Sequence, residues 1–473
     1  MSPAPTSASA PASAPASAPA SAPALAGHPS TSFSRPPITD WRPEDEGFWR
    51  AFGARIARRN LIQSVFCEHI GFSVWSLWSV LVLFLGPAYH IDPAGKFVLT
   101  ALPNALGAVL RVPYTFAVAR FGGRNWTIVS ALLLLLPTLL AAAVLRPGVS
   151  YGLLLVVACT AGVGGGNFAS SMANINAFYP DRHKGRALGL NAGGGNVGVA
   201  VVQLVGLAVL ATAGAGHPRV LLAVYVPLIV LAALGAALRM DNLAPGTTAV
   251  SRDLARHAMR DVCREPHTWV ISALYVGTFG SFIGFGFAFG QVLQVQFHGQ
   301  FGTPVRAAEL TFLGPLLGSL IRPVGGWLAD RFGGAVVTLW TFVAMAAATG
   351  VILVASAEHS LPLFIAAFTV LFALTGVGNG ATYKMIPSVF RRKYPDAPGE
   401  ARRRSTALIG LAAAIGAFGG VLVNLAFRAS FQSGDQGRSA YLAFLAAYAV
   451  CAVLTATVYL RRGAATRIAG KAV

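Results

Sequence analysis

The chain has 473 residues, of which 55% are hydrophobic and only 11% are charged. A soluble domain carries roughly 25% charged residues, and a water-soluble fold of this size could not cover its surface with so few. The composition excludes an ordinary cytosolic enzyme, a nucleic-acid-binding protein and a disordered chain. The net charge of +19 would suit a polyanionic partner, but the positions of the basic residues indicate another cause.

The cysteines and histidines form no recognisable reactive or metal-binding pattern. Cys67, Cys159, Cys263 and Cys451 lie far apart, and no CxxC pair occurs. Cys263 and His267 have a CxxxH spacing, but no second ligand pair accompanies them. We therefore expect no metal site, no disulfide framework and no cofactor. No nucleophile–base arrangement is recognisable either, so we do not expect an enzyme.

The chain begins with an uncharged Ala/Pro/Ser repeat over residues 2–24. This repeat has too little bulky apolar surface to pack, and no basic segment precedes an apolar one, so it is not a signal peptide. We expect residues 1–35 to form a disordered cytoplasmic tail. Residues 36–60 are predicted to form a polar cytoplasmic lead-in helix.

From residue 61 onward, long apolar runs alternate with short polar breaks. A membrane span needs ~20 apolar residues, and backbone groups in lipid must form hydrogen bonds within their own segment, so these runs predict helices. The expected fold is an all-α membrane protein with twelve transmembrane helices. The twelve runs lie near residues 61–86, 97–119, 125–145, 149–178, 187–212, 219–239, 268–291, 308–329, 334–356, 362–389, 405–427 and 439–460.

The distribution of lysine and arginine predicts the orientation in the membrane. With both termini cytoplasmic, the inner segments carry 27 of the 36 basic residues and the outer loops carry six. The other three, Arg111, Arg322 and Lys384, lie within predicted spans. The basic balance is therefore mainly a topology signal, and we expect no nucleic-acid partner.

The two halves of the chain are related in sequence. RVPYTFAVARFGG begins at Arg111 and RPVGGWLADRFGG begins at Arg322, an offset of 211 residues. Further on, Asn167 in GVGGGNFASSMANINAFYP aligns with Asn379 in TGVGNGATYKMIPSVFRR at an offset of 212. Two matches at nearly one offset indicate that a six-helix unit occurs twice in the same orientation.

This parallel repeat predicts a two-bundle secondary transporter with its substrate at mid-membrane between the halves. The expected units are a six-helix bundle at 61–239, a cytoplasmic linker at 240–267, a second bundle at 268–461 and a cytoplasmic tail at 462–473. The DRFGG turn with Asp330 and Arg331 resembles the short loop motif of the major facilitator superfamily and predicts a gating loop. The first-half copy has Ala119 in place of Asp330, so a symmetric pair of gating loops is not expected.

Arg111 and Arg322 lie near the middle of spans 2 and 8. Arginine at the bilayer centre costs ~2.5–3.5 kcal/mol, so two at repeat-equivalent positions indicate a shared task. The alternative is that each pairs with a buried carboxylate or reaches the membrane surface. Few acidic residues are available for pairing; Glu68 is the clearest, and Glu309 lies near the outer end of span 8. Since guanidinium groups match planar oxyanions through paired hydrogen bonds, we expect a small planar anion between them.

Glycine-rich segments lie at 162–166, 193–195 and 376–380. One interpretation is close packing of helices through small residues. The other is that bare backbone and neighbouring asparagine side chains approach a small ligand, because asparagine supplies both a donor and an acceptor. The asparagines in or close to these segments are Asn167, Asn191, Asn196 and Asn379.

Segments 164–199 and 376–390 resemble the two signature segments of the nitrate/nitrite porter family of the major facilitator superfamily. The segment that begins at Arg111, LYVGTFGSFIGF at 274–285 and WRPED at 41–45 fit the same family. The resemblance covers about residues 38–460. It implies a nitrate and nitrite transporter with alternating access, in a bacterial inner membrane, and nothing in the sequence demands more than a monomer.

Matching motifs imply the residues of the site. Arg111 and Arg322 would bind the anion, and Asn191 and Asn196 would lie near it in the glycine-rich helix. The resemblance also implies an aromatic wall, although core or lipid packing is the simpler explanation for any single ring. The wall residues would be Phe72, Phe168, Tyr275 and Phe279, of which the last two share a helix face.

Two coupling modes are open for such a transporter, proton-coupled nitrate uptake and nitrate/nitrite exchange. Proton coupling requires a titratable group, and ionisable residues inside a membrane are candidates. These are Glu68, His69 and Lys384; the first two could instead form an interfacial pair, and Lys384 could merely add to the anion-attracting field. We expect proton-coupled uptake, with exchange as the alternative. A proton-driven exporter of another small solute is more remote, because the centre is glycine-rich and doubly basic.

Overall fold

The computed structural model describes residues 35–244, 252–301 and 304–461. Twelve long helices follow the predicted spans within these residues, and we number them in chain order. They are α1 (Glu46–Phe84), α2 (Pro93–Phe121), α3 (Gly123–Val144), α4 (Tyr151–Phe178), α5 (Asp181–Thr212), α6 (Pro218–Arg239), α7 (Pro266–Gln296), α8 (Leu313–Phe332), α9 (Gly334–Ala357), α10 (Leu361–Lys393), α11 (Pro398–Gln432) and α12 (Arg438–Leu460).

Five of these helices contain short turns or π-helical segments, and short helices lie in the connections. The interrupted helices consist of Glu46–Phe48, Trp49–Gly53, Ala54–Trp75 and Leu77–Phe84 in α1; Gly123–Leu133 and Leu135–Val144 in α3; Tyr151–Thr160 and Val163–Phe178 in α4; Pro266–Tyr275, Val276–Gly280 and Ser281–Gln296 in α7; and Arg438–Thr455 and Ala456–Leu460 in α12. The connecting helices are Pro87–Tyr89, Arg252–Cys263, His298–Gln300 and Pro304–Ala308.

Eleven of the described helices are long and apolar enough to cross a membrane. The remaining long helix, α8, has 20 residues and contains Arg322, Asp330 and Arg331, which lower its hydropathy. It lies where the eighth span is predicted and follows the same sequence repeat as α2. The predicted all-α membrane fold with two six-helix halves is therefore confirmed.

The repeat has a structural counterpart at the ends of α2 and α8. Each helix ends just before the first glycine of an FGG sequence, Gly122 or Gly333. These glycines have φ angles of 84° and 91°, which residues with a Cβ atom rarely adopt. Each glycine N–H donates to a carbonyl four residues back, on Val118 and Ala329 respectively. The two halves therefore turn from one span into the next in the same way.

The lead-in is continuous with the first span, because α1 begins at Glu46 and runs to Phe84. Before α1, Ile38 forms an isolated parallel bridge with Leu243 of the linker. Trp41 packs edge-on against the ring of Phe178 at the end of α4. The start of the described chain is thus held against the end of the first bundle.

Charged contacts hold the linker as well. Asp241 accepts hydrogen bonds from Arg59 at 2.6 Å and from Asn60 at 3.1 Å. In the linker helix, Asp261 accepts from Arg403 of α11 at 2.7 Å. The predicted tail 1–35, apart from its last residue, the linker segment 245–251 and the C-terminal tail 462–473 lie outside the described residues.

The glycine-rich segments bring helices into close contact. A side chain at Gly198 of α5 would overlap the backbone carbonyl of His69 in α1, and one at Gly380 of α10 would overlap the backbone of α8. In α4, a Cβ on Gly165 would lie 2.8 Å from the Cα of Gly107 in α2. Close helix packing therefore accounts for these glycines.

We expect Gly198→Ala to destabilise the protein by about 1–3 kcal/mol, because the added methyl group meets a backbone carbonyl that no rotamer change can move. Gly189→Ala, in the same helix, is the matched control. Gly189 is exposed, and an added Cβ there has no neighbouring atom within 4 Å. Thermal unfolding in detergent would compare the two variants, and equal melting temperatures would contradict the packing role.

Candidate anion-binding site

Arg111 lies in α2, and its side chain is fully buried, with 0% exposure. Its Nε donates to the carbonyl of Gly165 in α4 at 3.1 Å, and its Nη1 donates to the carbonyl of Ala413 in α11 at 2.7 Å. Its Nη2 is buried without a hydrogen-bond partner among the described residues. An unpaired buried donor costs roughly 1–3 kcal/mol, so this N–H is available to a ligand.

Aromatic rings surround the guanidinium group of Arg111. Its Cζ lies 4.7 Å from the ring centre of Phe168, 5.0 Å from that of Phe279 and 5.3 Å from that of Trp75. Phe168 and Trp75 belong to the first half, whereas Phe279 belongs to the second. The group therefore lies at the interface of the two halves, and ring faces stabilise its charge.

Arg322 occupies the repeat-equivalent position in α8 and is 6% exposed. Its Nη2 donates to the hydroxyl oxygen of Tyr275 in α7 at 3.0 Å, and its Cζ lies 5.5 Å from the ring centre of Tyr383 in α10. Its Nη1 is buried and has no partner in the described part of the chain. Arg111 and Arg322 interact electrostatically, so the two unpartnered donors belong to one cluster.

The charge of this cluster is not balanced by carboxylates. Among the described residues, neither Arg111 nor Arg322 forms an ion pair within 4.0 Å. Glu68, which is 1% exposed, interacts electrostatically with both arginines. Two permanently charged guanidinium groups and one carboxylate leave an excess positive charge at the centre of the bundle. A small monovalent anion would balance that excess.

The four predicted wall residues lie together and are buried. The ring centres of Phe72 and Phe168 are 6.2 Å apart, and those of Phe168 and Phe279 are 6.4 Å apart. Tyr275 and Phe279 stack at 5.2 Å with an interplanar angle of 9°. Phe279 lies within a π-helical turn, Val276–Gly280, that begins directly after Tyr275, and such turns frequently occur at functional sites.

The predicted asparagines differ in their surroundings. Asn191 donates to a carboxylate oxygen of Glu68 at 2.6 Å and to the hydroxyl of Ser171 at 2.7 Å, so it orients the carboxylate. Asn196 is buried, and neither its amide nitrogen nor its amide oxygen has a partner among the described residues. Asn379 in α10 is also buried, and its amide nitrogen and oxygen likewise have no partner among the described residues. These two amides are available to a ligand or to water.

Glu68 and His69 are adjacent in sequence but have different surroundings in the structure. Glu68 is buried beside the arginines, which does not fit the alternative of an interfacial pair near the end of the span. His69 is half-buried, and its Nδ1 lies 3.2 Å from the carbonyl oxygen of Gly194 in α5. His69 therefore contacts the backbone of the glycine-rich helix instead of the arginines.

Lys384, a candidate for proton coupling or for the anion-attracting field, lies in an ion pair with Asp330. Its Nζ donates to both carboxylate oxygens of Asp330 at 2.7 Å, and both side chains are partly exposed. The positive charge is thereby paired at the DRFGG loop, because α10 passes beside the end of α8. Arg331 of the same loop is exposed, with its Cζ 5.8 Å from the ring centre of Trp327.

Trp75 and Tyr383, which contact the arginines, were not among the site residues predicted from the sequence. Trp75 follows Phe72 by three residues, so helical spacing could have placed it on a neighbouring part of the same face. Tyr383 stands beside Lys384, but nothing local distinguishes it from the other aromatic residues. Both are recognisable only through their contacts with Arg111 and Arg322.

A cavity of about 1310 Å³ opens at the face of the bundle where the described chain begins. It is lined by the lead-in, the ends of α2 and α4, the linker and the start of α11. It reaches Thr115, one helical turn from Arg111, and the Thr115 hydroxyl donates to the carbonyl of Arg111 at 2.8 Å. The arginines and the wall aromatics do not line the cavity, so the site lies beyond its inner end.

The two halves are in contact toward the opposite face. Thr100 of α2 donates to Asn424 of α11 at 2.7 Å, and both residues are buried. Phe97 of α2 stacks on Phe431 of α11 at 5.5 Å with an interplanar angle of 3°. The structure is therefore open toward one face of the bundle and closed toward the other.

A model of the Major Facilitator Superfamily matches residues 65–423. The chain is 38% identical over 454 residues to the nitrate/nitrite transporter NarU of Escherichia coli (strain K12), an alignment covering 91% of this chain and 97% of that protein. It is 32% identical over 444 residues to the probable nitrate/nitrite antiporter NarK2 of Thermus thermophilus, covering 90% and 97%. The chain belongs to the nitrate/nitrite porter family of the major facilitator superfamily.

A solved structure with the same fold is a bacterial homolog to the human lysosomal transporter Spinster, in an inward-facing and occupied conformation. It has a TM-score of 0.63 and 17% identity, and the match covers 86% of this chain and 96% of that chain. At this identity the likeness shows the fold alone. Membership of the porter family makes the protein a multi-pass membrane transporter and not an enzyme.

We expect Tyr275→Phe to weaken nitrate binding by about tenfold, because the hydroxyl that orients Arg322 is lost and hydrogen bonds to charged groups contribute about 1.5–3 kcal/mol. Isothermal titration calorimetry on the purified protein would measure the affinity. Tyr151→Phe is the control, since the Tyr151 hydroxyl donates to the carbonyl of Gly95, away from both arginines. Unchanged affinity in Tyr275→Phe would exclude this positioning role.

Proposed function

We propose that the protein transports nitrate and nitrite across a bacterial inner membrane by alternating access. The observation that carries this proposal is the pair of buried guanidinium groups, one from each half, each with an N–H that has no partner among the described residues. The names of the relatives in Escherichia coli and Thermus thermophilus support nitrate and nitrite as the cargo.

A planar oxyanion suits this site in shape and charge. Each guanidinium group is planar and offers hydrogen bonds in a fixed fork. At a separation of ~4 Å and an effective dielectric constant of ~20, one such ion pair contributes ~4 kcal/mol before desolvation. The flat rings of Phe168 and Phe279 supply surfaces that exclude water around a flat anion. With Glu68 protonated, two arginines and one anion retain a net positive charge, whereas with Glu68 ionised the anion balances the charge, so cargo can be held and released.

The charges of Arg111 and Arg322 also make movement of the two halves depend on bound cargo. Without an anion, Arg111 and Arg322 repel each other across the interface. A nitrate between them replaces that repulsion with two attractions, so closure of the halves over the site becomes favourable only when it is occupied. We infer that this linkage suppresses movement of the empty carrier.

We place both termini in the cytoplasm, because 27 of the 36 basic residues then lie on the inner side. In this orientation the large cavity opens toward the cytoplasm, and the structure represents an inward-open state. Both arginines come from one chain, so we propose that a monomer is sufficient for transport.

For coupling we propose proton-driven nitrate uptake, with Glu68 as the titratable group. Glu68 is buried and acts electrostatically on both arginines, so its protonation changes the field at the anion site. Nitrate/nitrite exchange is the second candidate, favoured by the name of the Thermus thermophilus relative. Exchange needs no titratable group, since repulsion between the arginines already opposes return of the empty carrier.

We expect Arg111→Lys and Arg322→Lys each to reduce nitrate uptake by at least about tenfold while the protein stays in the membrane. The charge is retained, but the fork that holds a planar anion through two hydrogen bonds is lost. Initial uptake rates in proteoliposomes would measure the effect, with the exposed Arg239→Lys as control. Normal uptake in both site variants would show that these arginines have a structural role only.

Proteoliposome transport also separates the two coupling modes. We expect external acidification to accelerate nitrate entry into vesicles that contain no nitrite, and Glu68→Gln to weaken this dependence. Protonation reduces the attraction of Glu68 for the arginines and leaves more positive potential for the anion. Uptake that ignores pH but requires internal nitrite would establish exchange instead.

A further inference from the structure

A small cavity lies inside the first half, apart from the interface between the halves. Its volume is about 10 Å³, which is close to the space that one water molecule requires. Three helices of the first half enclose it. The lining includes Ser64 and Glu68 of α1, Thr127 and Ser130 of α3, and Asn167 and Ser170 of α4.

Two acceptor oxygens that line the cavity lack hydrogen-bond donors. The Oε1 of Glu68 and the Oδ1 of Asn167 are buried, and neither has a partner among the described residues. The hydroxyl of Ser64, which can donate as well as accept, is also buried without a partner there. The hydroxyl of Ser130 already donates to the carbonyl of Thr127 at 3.2 Å, so only its lone pairs remain for the cavity. Buried acceptors of this kind require a donor or a cation.

The neighbouring hydroxyls follow the same pattern. Thr127 donates to the carbonyl of Gly123 at 2.7 Å, and Ser170 donates to the carbonyl of Asn167 at 3.1 Å. The other carboxylate oxygen of Glu68, Oε2, is occupied by the amide of Asn191 at 2.6 Å. The carboxylate is therefore held on one side, and its free oxygen remains for an occupant.

The chemistry of the lining selects the class of occupant. Oxygen ligands suit hard cations, and a single carboxylate matches a single positive charge, whereas Ca²⁺ sites use several carboxylates. Cys67, the other titratable residue that lines the cavity, has a thiol that donates to the carbonyl of Ala232 at 3.4 Å. The volume admits either one Na⁺ ion or a water molecule beside a protonated carboxyl group.

The charged and titratable groups that act on Glu68 connect this cavity to the anion site. From other helices, Arg111, Arg322 and Tyr383 interact with it electrostatically. Ser171 of α4 and Asn191 of α5, which contact the carboxylate, are neutral. An ionised Glu68 therefore lowers the positive potential that both arginines offer to nitrate, and a cation beside it removes that effect.

We propose that this cavity binds one univalent cation and that its occupation strengthens anion binding at Arg111 and Arg322. The inference rests on the proposed function and extends it by assigning a separate cation site within the first half. Because coupling between two sites is reciprocal, nitrate also strengthens cation binding. The cation is either a proton shared by Glu68 and a water molecule, or Na⁺ in the same volume.

Nitrate titrations of the purified full-length protein test this coupling. Calorimetry would be performed over a pH series in choline gluconate and over a sodium gluconate series at fixed pH and ionic strength. We expect nitrate affinity to rise by about fivefold or more as the cation binds, within the range typical of coupled sites. Affinity that follows pH alone identifies the proton, and affinity that follows sodium identifies Na⁺.

Two variants separate the cation site from a structural effect. Glu68→Gln is expected to bind nitrate with the affinity of the cation-saturated protein and to lose the dependence on cation. Ser64→Ala removes one cavity oxygen and should raise the half-saturating cation concentration without changing nitrate affinity at saturation. Ser79→Ala is the matched control, because this buried hydroxyl of the same helix donates to the carbonyl of Ser76 at 2.7 Å.

The possible failures are distinguishable. Equal nitrate affinity in all pH and sodium series would overturn the cation site and indicate a cavity filled by structural water, while nitrate transport would stand. A dependence that persists in Glu68→Gln, or that Ser64→Ala leaves unshifted, would also overturn it. Absence of nitrate binding under every condition would overturn the proposed function together with this inference.

Discussion

Two guanidinium groups are buried in an apolar helical bundle, and within residues 35–244, 252–301 and 304–461 no carboxylate forms an ion pair with either of them. Burial of an unpaired charge is costly, and the protein compensates through backbone carbonyls, a tyrosine hydroxyl and aromatic ring faces. These neutral partners stabilise the charges without cancelling them, so each arginine keeps an N–H that has no partner in the described part of the chain, and the pair retains its positive potential. A direct carboxylate partner on each arginine would have removed the attraction for an anion. The remaining structure can be understood from the need to support this arrangement.

The glycine-rich helices contribute to this support through packing. They allow α4 to approach α2 so closely that the carbonyl of Gly165 accepts a hydrogen bond from Arg111. Close packing thus also supports a partner of Arg111, whereas the approach of bare backbone to a small ligand stays a prediction. The contact of Arg111 with the carbonyl of Ala413 then extends the arrangement into the second half.

The two halves are equivalent in fold but not in charge. In the second half, Asp330 of the DRFGG loop pairs with Lys384 of α10. At the repeat-equivalent positions the first half has Ala119 and Met172, so both members of the pair are replaced by neutral residues. The first half instead has the buried carboxylate of Glu68 near the arginines. Duplication thus preserved the two buried arginines, whereas the other charged groups named here differ between the halves.

Hydropathy, charge and internal similarity along the chain were sufficient to predict the helices, the duplicated six-helix unit and the two buried arginines. These features are readable because lipid imposes a large, local cost on polar residues, and that cost acts on each segment separately. The predicted boundary at residue 61 between the lead-in and the first span is not a helix boundary in the structure, because polar residues can extend a membrane helix beyond the lipid.

The partners of the arginines depended on contacts between helices that are distant in sequence. Trp75, Tyr383 and Ala413 became recognisable only after the helices were packed, because their rotation and relative depth are not determined by apolar periodicity. The pairing of Lys384 with Asp330 and the cavity beside Glu68 arise for the same reason. Residue type identified where charge is buried, and the packing of the helices determined which groups surround that charge and which remain free to bind a ligand.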